Sequence, residues 1–254
     1  VEIINASPTI AHNTFRYNQR GIALGSGSPT LSSNLIADNT TYGLFIDSGS
    51  PTVIGNTFSN HAARHLYHGA PAAPSYSGNT FTGAGGLAVT VGGGNLSGDI
   101  TWPPIDGLGA TYVLLGDVTI ASDSALHLPA GVIVKGQGPT VDIYVSGTLD
   151  VQGTAEQPVV FTSYRDDTYG GDTNGDGVST PAPYDWGVIS IRNSANTFDY
   201  ALVQYAAYGV EIINASPTIA HNTFRYNQRG IALGSGLPLI IDNAIYDNQV
   251  YGVH

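Results

Sequence analysis

The residues best suited to chemistry lie in one short run, Asp172-Thr-Asn174-Gly-Asp176-Gly177. Carboxylate, amide and carboxylate at alternate positions of a tight loop can all turn inward on one hard cation. The glycine that follows permits the sharp bend. The carbonyl of Val178 falls where such a loop uses a backbone oxygen. Position 12 is then Pro183 and not a bidentate glutamate, so further charge must come from Asp166, Asp167 or Asp185. Five acidic side chains within 20 positions repel one another unless a cation lies among them. The expected cofactor is Ca2+.

Other reactive groups are sparser. Arg165 is the only basic residue near this acidic run in sequence, and it is expected to pair with one of the aspartates. The stretch NHAARHLYHG places His61, Arg64, His65 and His68 at spacings that would suit a metal on a helix. The local pattern is turn and strand, however, so these histidines are expected at the surface, as are His12 and His221 at turns. Tyr164, Tyr169, Tyr184 and Trp186 crowd residues 163–186. Aromatic rings of this kind stack on sugars, but here they are expected to cover the fold beneath a long loop.

The elements that carry these groups are repetitive. VEIINASPTIAHNTFRYNQRGIALGSG occurs at Val1–Gly27 and again, without a change in its 27 residues, at Val210–Gly236, an offset of 209. Beyond it, seven of the next 18 positions agree. A shorter period runs underneath. Ser-Pro-Thr-aliphatic recurs at Ser7, Ser28 and Ser50, and an asparagine followed by apolar or Thr positions at Asn13, Asn34, Asn56 and Asn79. A second asparagine follows at Asn18, Asn39 and Asn60, then a short strand at Gly21–Leu24, Gly43–Ile46, His65–Tyr67 and Leu87–Val89. The pieces are three to five residues long and alternate apolar with polar, which is strand periodicity. Gly and Asn at this density exclude helices.

The economical arrangement is an all-β solenoid, with about 22 residues and three short strands per coil, stacked at roughly 4.8 Å. Ile10, Leu31 and Val53 then stack inside, beside Phe15, Ile36, Phe58 and Phe81. Asn13, Asn34, Asn56 and Asn79 form a ladder at one turn, their amides bonding from coil to coil. Thr9, Thr30 and Thr52 are assigned to turns, which argues against a threonine array for binding ice. The chain divides into coils over 1–98, a junction and the start of a further module over 99–130, and coils over 131–254 with an insertion at 163–186.

The run SPTI…NTF…N…GIAL, repeated as SPTL…NLI…N…YGLFI and SPTV…NTF, resembles the right-handed parallel β-helix repeats of the pectate-lyase-like superfamily. The wording VTI…ALHLPAGVIVKG…VSGTLDVQGTAEQPVVFTS is similar to the opening coils of secreted bacterial β-helix proteins. The resemblance implies the fold and leaves function open, because that superfamily holds lyases, hydrolases, epimerases, tail spikes and adhesins. Asp166-Asp167 resembles the paired aspartates of polygalacturonase-type glycosidases. The rest of that signature is missing: there is no Asn-Thr-Asp, and His68-Gly69 lacks a preceding glycine. The cation run resembles calcium loops of extracellular repeat proteins.

Composition narrows the partners. The net charge of −11, with one lysine and seven arginines, offers no basic cluster for nucleic acid. No apolar run reaches the roughly 20 residues of a membrane span. Cysteine is absent, which removes disulfides and thiolate metal sites. Val1 is not a translation start, so the chain reads as a window on a longer one. The expected function is architectural and not enzymatic: a structural or adhesive repeat segment of an extracellular or cell-surface fibre. Copies or adjoining repeats would continue it end to end, each 209-residue period advancing at most roughly 45 Å. The alternatives are a carbohydrate-active β-helix enzyme and a non-catalytic glycan-binding module, with polysaccharide as a further partner.

Overall fold

The computed structural model describes residues 1–254, which form strands and turns and no helix. No helix long and apolar enough to cross a membrane is therefore present. The chain forms two compact units: Val1–Gly92 with Pro104–Ala110, and Gly93–Pro103 with Thr111–His254.

In the first unit, strands Arg20–Leu24, Tyr42–Ile46 and Arg64–His68 stack in parallel as one sheet, flanked by Glu2–Ile3 and Val89–Val91. Thr9–Ala11, Thr30–Ser32, Thr52–Ile54 and Ser75–Ser77 make the second sheet. Thr14–Arg16, Leu35–Ala37, Thr57–Ser59 and Thr80–Thr82 make the third. The expected rows are in register. Ile10, Leu31 and Val53 pair in line, as do Phe15, Ile36, Phe58 and Phe81. Leu31, Val53, Ile36 and Phe58 are fully buried, and Phe58 and Phe81 stack with centroids 5.0 Å apart.

The asparagine ladder is the joint between these coils. Asn34 and Asn56 accept the backbone N–H of Asn13 and Asn34 at 3.0 and 2.9 Å, and Asn79 accepts that of Asn56 at 2.9 Å. The residue just before each ladder position holds a left-handed backbone conformation: His12, Ser33, Gly55 and Gly78 precede it in this row, Tyr17, Asp38 and Asn60 in the next. That corner explains one departure from the sequence reading. Asn60 occupies the corner itself, with φ 56°, so the ladder position after Asn18 and Asn39 falls to His61. Thr9, Thr30 and Thr52 also differ from expectation. They open strands and pair in a row instead of lying in turns. The strand expected at 87–89 lies at Val89–Val91, because Gly83, Gly85 and Gly86 lengthen the preceding turn.

The second unit repeats the scheme. Thr111–Leu114, Ile133–Gly136, Val159–Ser163, Ala201–Gln204, Thr223–Arg225 and Ala244–Tyr246 form one parallel sheet. Gly94–Leu96, Val118–Ile120, Ile143–Val145, Trp186–Ile191, Ala206–Ile212, Arg229–Leu233 and Tyr251–Val253 form another. Gly94–Leu96 and Asp99–Thr101 are paired strands, the latter within the stretch assigned from sequence to a junction. After residues 163–186 the coil rejoins the preceding one in register, Ile143 pairing with Ile189 and Val145 with Ile191, while towards Ala206–Ile212 the register shifts between Val188 and Ile189. Trp186, at the end of the excursion, is 2% exposed and donates its indole N–H to the Gln204 carbonyl at 2.8 Å.

Candidate functional site

The insertion at 163–186 is pinned from below by a residue that sequence spacing could not reveal. Lys135, the only lysine, is fully buried on the strand Ile133–Gly136. Its ammonium donates to the carbonyls of Asp166 (2.7 Å) and Gly171 (2.8 Å) and to the Thr173 hydroxyl (3.0 Å). This contact spans more than thirty residues of chain and brings to the insertion a cation that is distant in sequence. Arg165 does pair with Asp185, at 3.7 Å.

The carboxylates expected around one cation are spread over several tasks. Asp166, 1% exposed, accepts from the Thr162 hydroxyl (2.6 Å), the Gln204 amide (2.7 Å) and the Thr168 N–H (3.0 Å). Asp185 accepts from the Ser163 hydroxyl and the Ala182 N–H. Asp172 folds the loop on itself, taking the N–H of Gly175 at 2.6 Å and of Gly177 at 3.0 Å. Asp176 is exposed, and Val178 is fully so. No three His, Asp or Glu side chains gather closely enough to hold a metal.

Two oxygens stand apart. Asp167 Oδ1 and Asn174 Oδ1 are shielded from solvent and have no hydrogen-bond partner. Their side chains share Ser179, which donates its N–H to Asp167 Oδ2 (3.0 Å) and accepts the Asn174 amide on its hydroxyl (3.2 Å). A shielded acceptor with no donor is costly, and hard oxygens of this kind are what Ca2+ takes.

Two clefts adjoin the insertion. One, of about 440 Å³, lies at its feet between the turn at Gly136–Pro139 and Tyr164, Arg165 and Tyr184. The other, of about 230 Å³, is walled by Tyr169 from the insertion and by Tyr200, His221, Arg225 and Tyr246. The Tyr200 and His221 rings stack at 4.9 Å, and His221 Nδ1 lies 2.9 Å from Asp199. Thr154 and Thr223 add hydroxyls, and no carboxylate lines the cleft.

The second cleft borrows part of the repeated stretch. Arg16, in the first copy, pairs with Asp38 at 2.5 Å. Arg225, the same residue in the second copy, donates Nε to Gln204 (3.0 Å) and lies 3.5 Å from the Tyr246 hydroxyl. The repeat is constant; Tyr200, Gln204 and Tyr246 beside it turn its His and Arg into walls of a cleft. An aromatic shelf, hydroxyls and a guanidinium without a carboxylate partner suit a polar ring bearing negative charge.

The histidines expected at the surface are corrected by the structure: His61, His65 and His68 are 0%, 1% and 3% exposed. The cause is register. His61 takes an inward ladder position, while Leu66 and Leu44 pair next to His65. His12 and His221 are exposed at left-handed corners, as expected.

Residues 1–99 match the family described as right handed beta helix region, and residues 95–207 match the pectate-lyase like beta helix domain. No match is found among curated proteins or among solved structures.

Proposed function

Because this chain is a right-handed parallel β-helix protein carrying a pectate-lyase-like β-helix domain, we propose that it is a structural and adhesive repeat segment of an extracellular or cell-surface filament. The observation that carries this reading is the 27-residue duplication. Both copies close the same rungs: Asn13 to Asn34 and Asn222 to Asn243, Asn18 to Asn39 and Asn227 to Asn248, all between 2.9 and 3.1 Å. Their neighbours differ, as Arg16 and Arg225 illustrate. A coil that makes constant bonds to changing neighbours is an interchangeable unit, the building principle of solenoids. Further copies of the coil, in the same chain or an adjoining one, are the partners. The test is light scattering and electron microscopy of the purified chain over a concentration series. Linear assemblies are expected; a monodisperse monomer throughout refutes assembly.

The same reading gives the insertion one Ca2+, with Asp167 and Asn174 supplying the unmet oxygens and Asp172 shaping the loop. The cation would tie residues 163–186 to the coil.

A second reading, a glycan-binding module, is favoured by the cleft at Tyr169, Tyr200, His221, Arg225 and Tyr246. Calorimetry with acidic and neutral oligosaccharides tests it. Loss of one charge-assisted bond costs about 1.5–3 kcal/mol, so Arg225→Ala should weaken binding of an acidic sugar roughly ten- to hundredfold. Equal affinity of Arg225→Ala and the unaltered chain removes the cleft as the site.

A further inference from the structure

Four coils share a pair of residues that the coil at Asn56–His68 replaces at both positions. An asparagine at the ladder position just after the corner is followed three or four residues later by glycine: Asn18 and Gly21, Asn39 and Gly43, Asn227 and Gly230, Asn248 and Gly252. In the next coil of the first unit both are histidine, His61 and His65. His65 lies opposite Gly43, between the pairs Arg64–Tyr42 and Leu66–Leu44.

Both rings are sealed in, and they meet edge-on with centroids 5.3 Å apart. His65 also packs on Phe81 at 5.6 Å. His61 Nδ1 takes the Asn39 N–H at 3.4 Å, and the ring faces the Ile36 carbonyl, which favours its charge; neither His61 Nε2 nor His65 Nδ1 makes a well-formed hydrogen bond. The asparagine it replaces would have bonded with both ends of its amide, as Asn56 does. The double replacement therefore leaves two shielded nitrogens without a well-formed bond at positions where asparagine and glycine leave none, a costly choice in a seam.

The surroundings keep both rings neutral. Asp38 faces His61 and favours its charge, but that carboxylate is held by Arg16. Arg64 and His61 face His65 and oppose its charge. Burial is the largest cause in each case and brings His61 and His65 down to about 4. On the same strand, His68 is bonded to the Tyr76 hydroxyl at 2.6 Å, and burial lowers it to about 3.

We propose that His61 and His65 form an acid-release latch, at which protonation opens the coil between Asn56 and Val91 while the other coils stay closed. The direction follows from linkage. The native rings bind protons less readily than exposed imidazole, whose ordinary value is about 6.5. Their contribution is complete above that pH, is lost as pH falls from there towards about 4, and changes no further below. Each histidine that gains a proton on opening raises the open population about tenfold per pH unit.

Hydrogen exchange of the full chain between pH 7 and 4.5, corrected for intrinsic rates, tests the latch. Segments between Asn56 and Val91 should open with a logarithmic slope of two to three, the upper value including His68. The coil at Thr218–Ala220 should show no such slope. His61→Asn with His65→Gly restores the repeat's own pair and should remove two from the slope. An unchanged slope in this variant, or opening spread evenly over the unit, overturns the proposal. If the variant does not fold, NMR titration of the unaltered chain decides: imidazoles that titrate above pH 6 in the native state overturn it, and titration below pH 5 upholds it.

Discussion

Asn56→Ala tests the ladder where it is driest. Asn56 is 1% exposed. Its Oδ1 accepts the backbone N–H and the side-chain amide of Asn34, both at 2.9 Å, and its Nδ2 donates to the Leu31 carbonyl at 2.9 Å. Alanine strands one backbone N–H and one backbone carbonyl away from water. Each unmet group costs about 1–3 kcal/mol, so the loss should be about 2–6 kcal/mol. Asn13→Ala is the control. Asn13 is exposed and donates only to Ala11 and Asn34, so water replaces its bonds and the cost should stay near 1 kcal/mol. Urea unfolding reads both, provided the m-value is unchanged. Asn34→Ala with Asn56→Ala should cost less than the sum of the two, because they share a rung. Equal losses for Asn13→Ala and Asn56→Ala, or a loss below about 0.5 kcal/mol for the latter, would refute the view that dry rungs hold the coils together.

Phe58→Ala opens a cavity between Ile36 and Phe81 and should lower stability by about 3–5 kcal/mol in the same assay. Phe15→Ala, at a partly exposed position of the same row, should cost less. Lys135→Met keeps the stem but strands three acceptors at the foot of the insertion, so limited proteolysis should cut within 163–186 at least tenfold faster, a change of about 1.4 kcal/mol in local opening. Calcium added to chelated protein at a hundred times its Kd should stabilise it by about 2.7 kcal/mol. Asn174→Ala should abolish that shift, and a melting temperature indifferent to calcium in the unaltered chain excludes the site.

The solenoid was legible because each coil restates the pattern: Ile36 and Phe58 alternate with polar neighbours, and the repeat spacing sets their register. Asn34 and Asn56 were legible for the same reason, since a ladder needs only equal spacing. Lys135, Gln204 and Asp166 were not. They meet beneath the insertion from separate coils, and no local spacing encodes that meeting. His61 was misplaced because the sequence offered Asn60 one residue earlier, and only the left-handed corner decides which residue turns inward. The cleft at Arg225 was invisible because its Arg and His belong to a stretch that also occurs where no such cleft forms.

Because every rung hands its load to the next, the ladder in the first unit is a chain of links under common tension. Pulled along the stacking direction, such a row yields at its weakest member, whatever the strength of the rest. In the row that runs through Asn18, Asn39 and His61, the amide link is doubled, at 3.0 Å from N–H to Oδ1 and at 3.4 Å through Nδ2. The Asn39–His61 link is a single contact at 3.4 Å onto an imidazole. A force probe should find the first rupture there, giving the coil a mechanical fuse at a position fixed by two side chains.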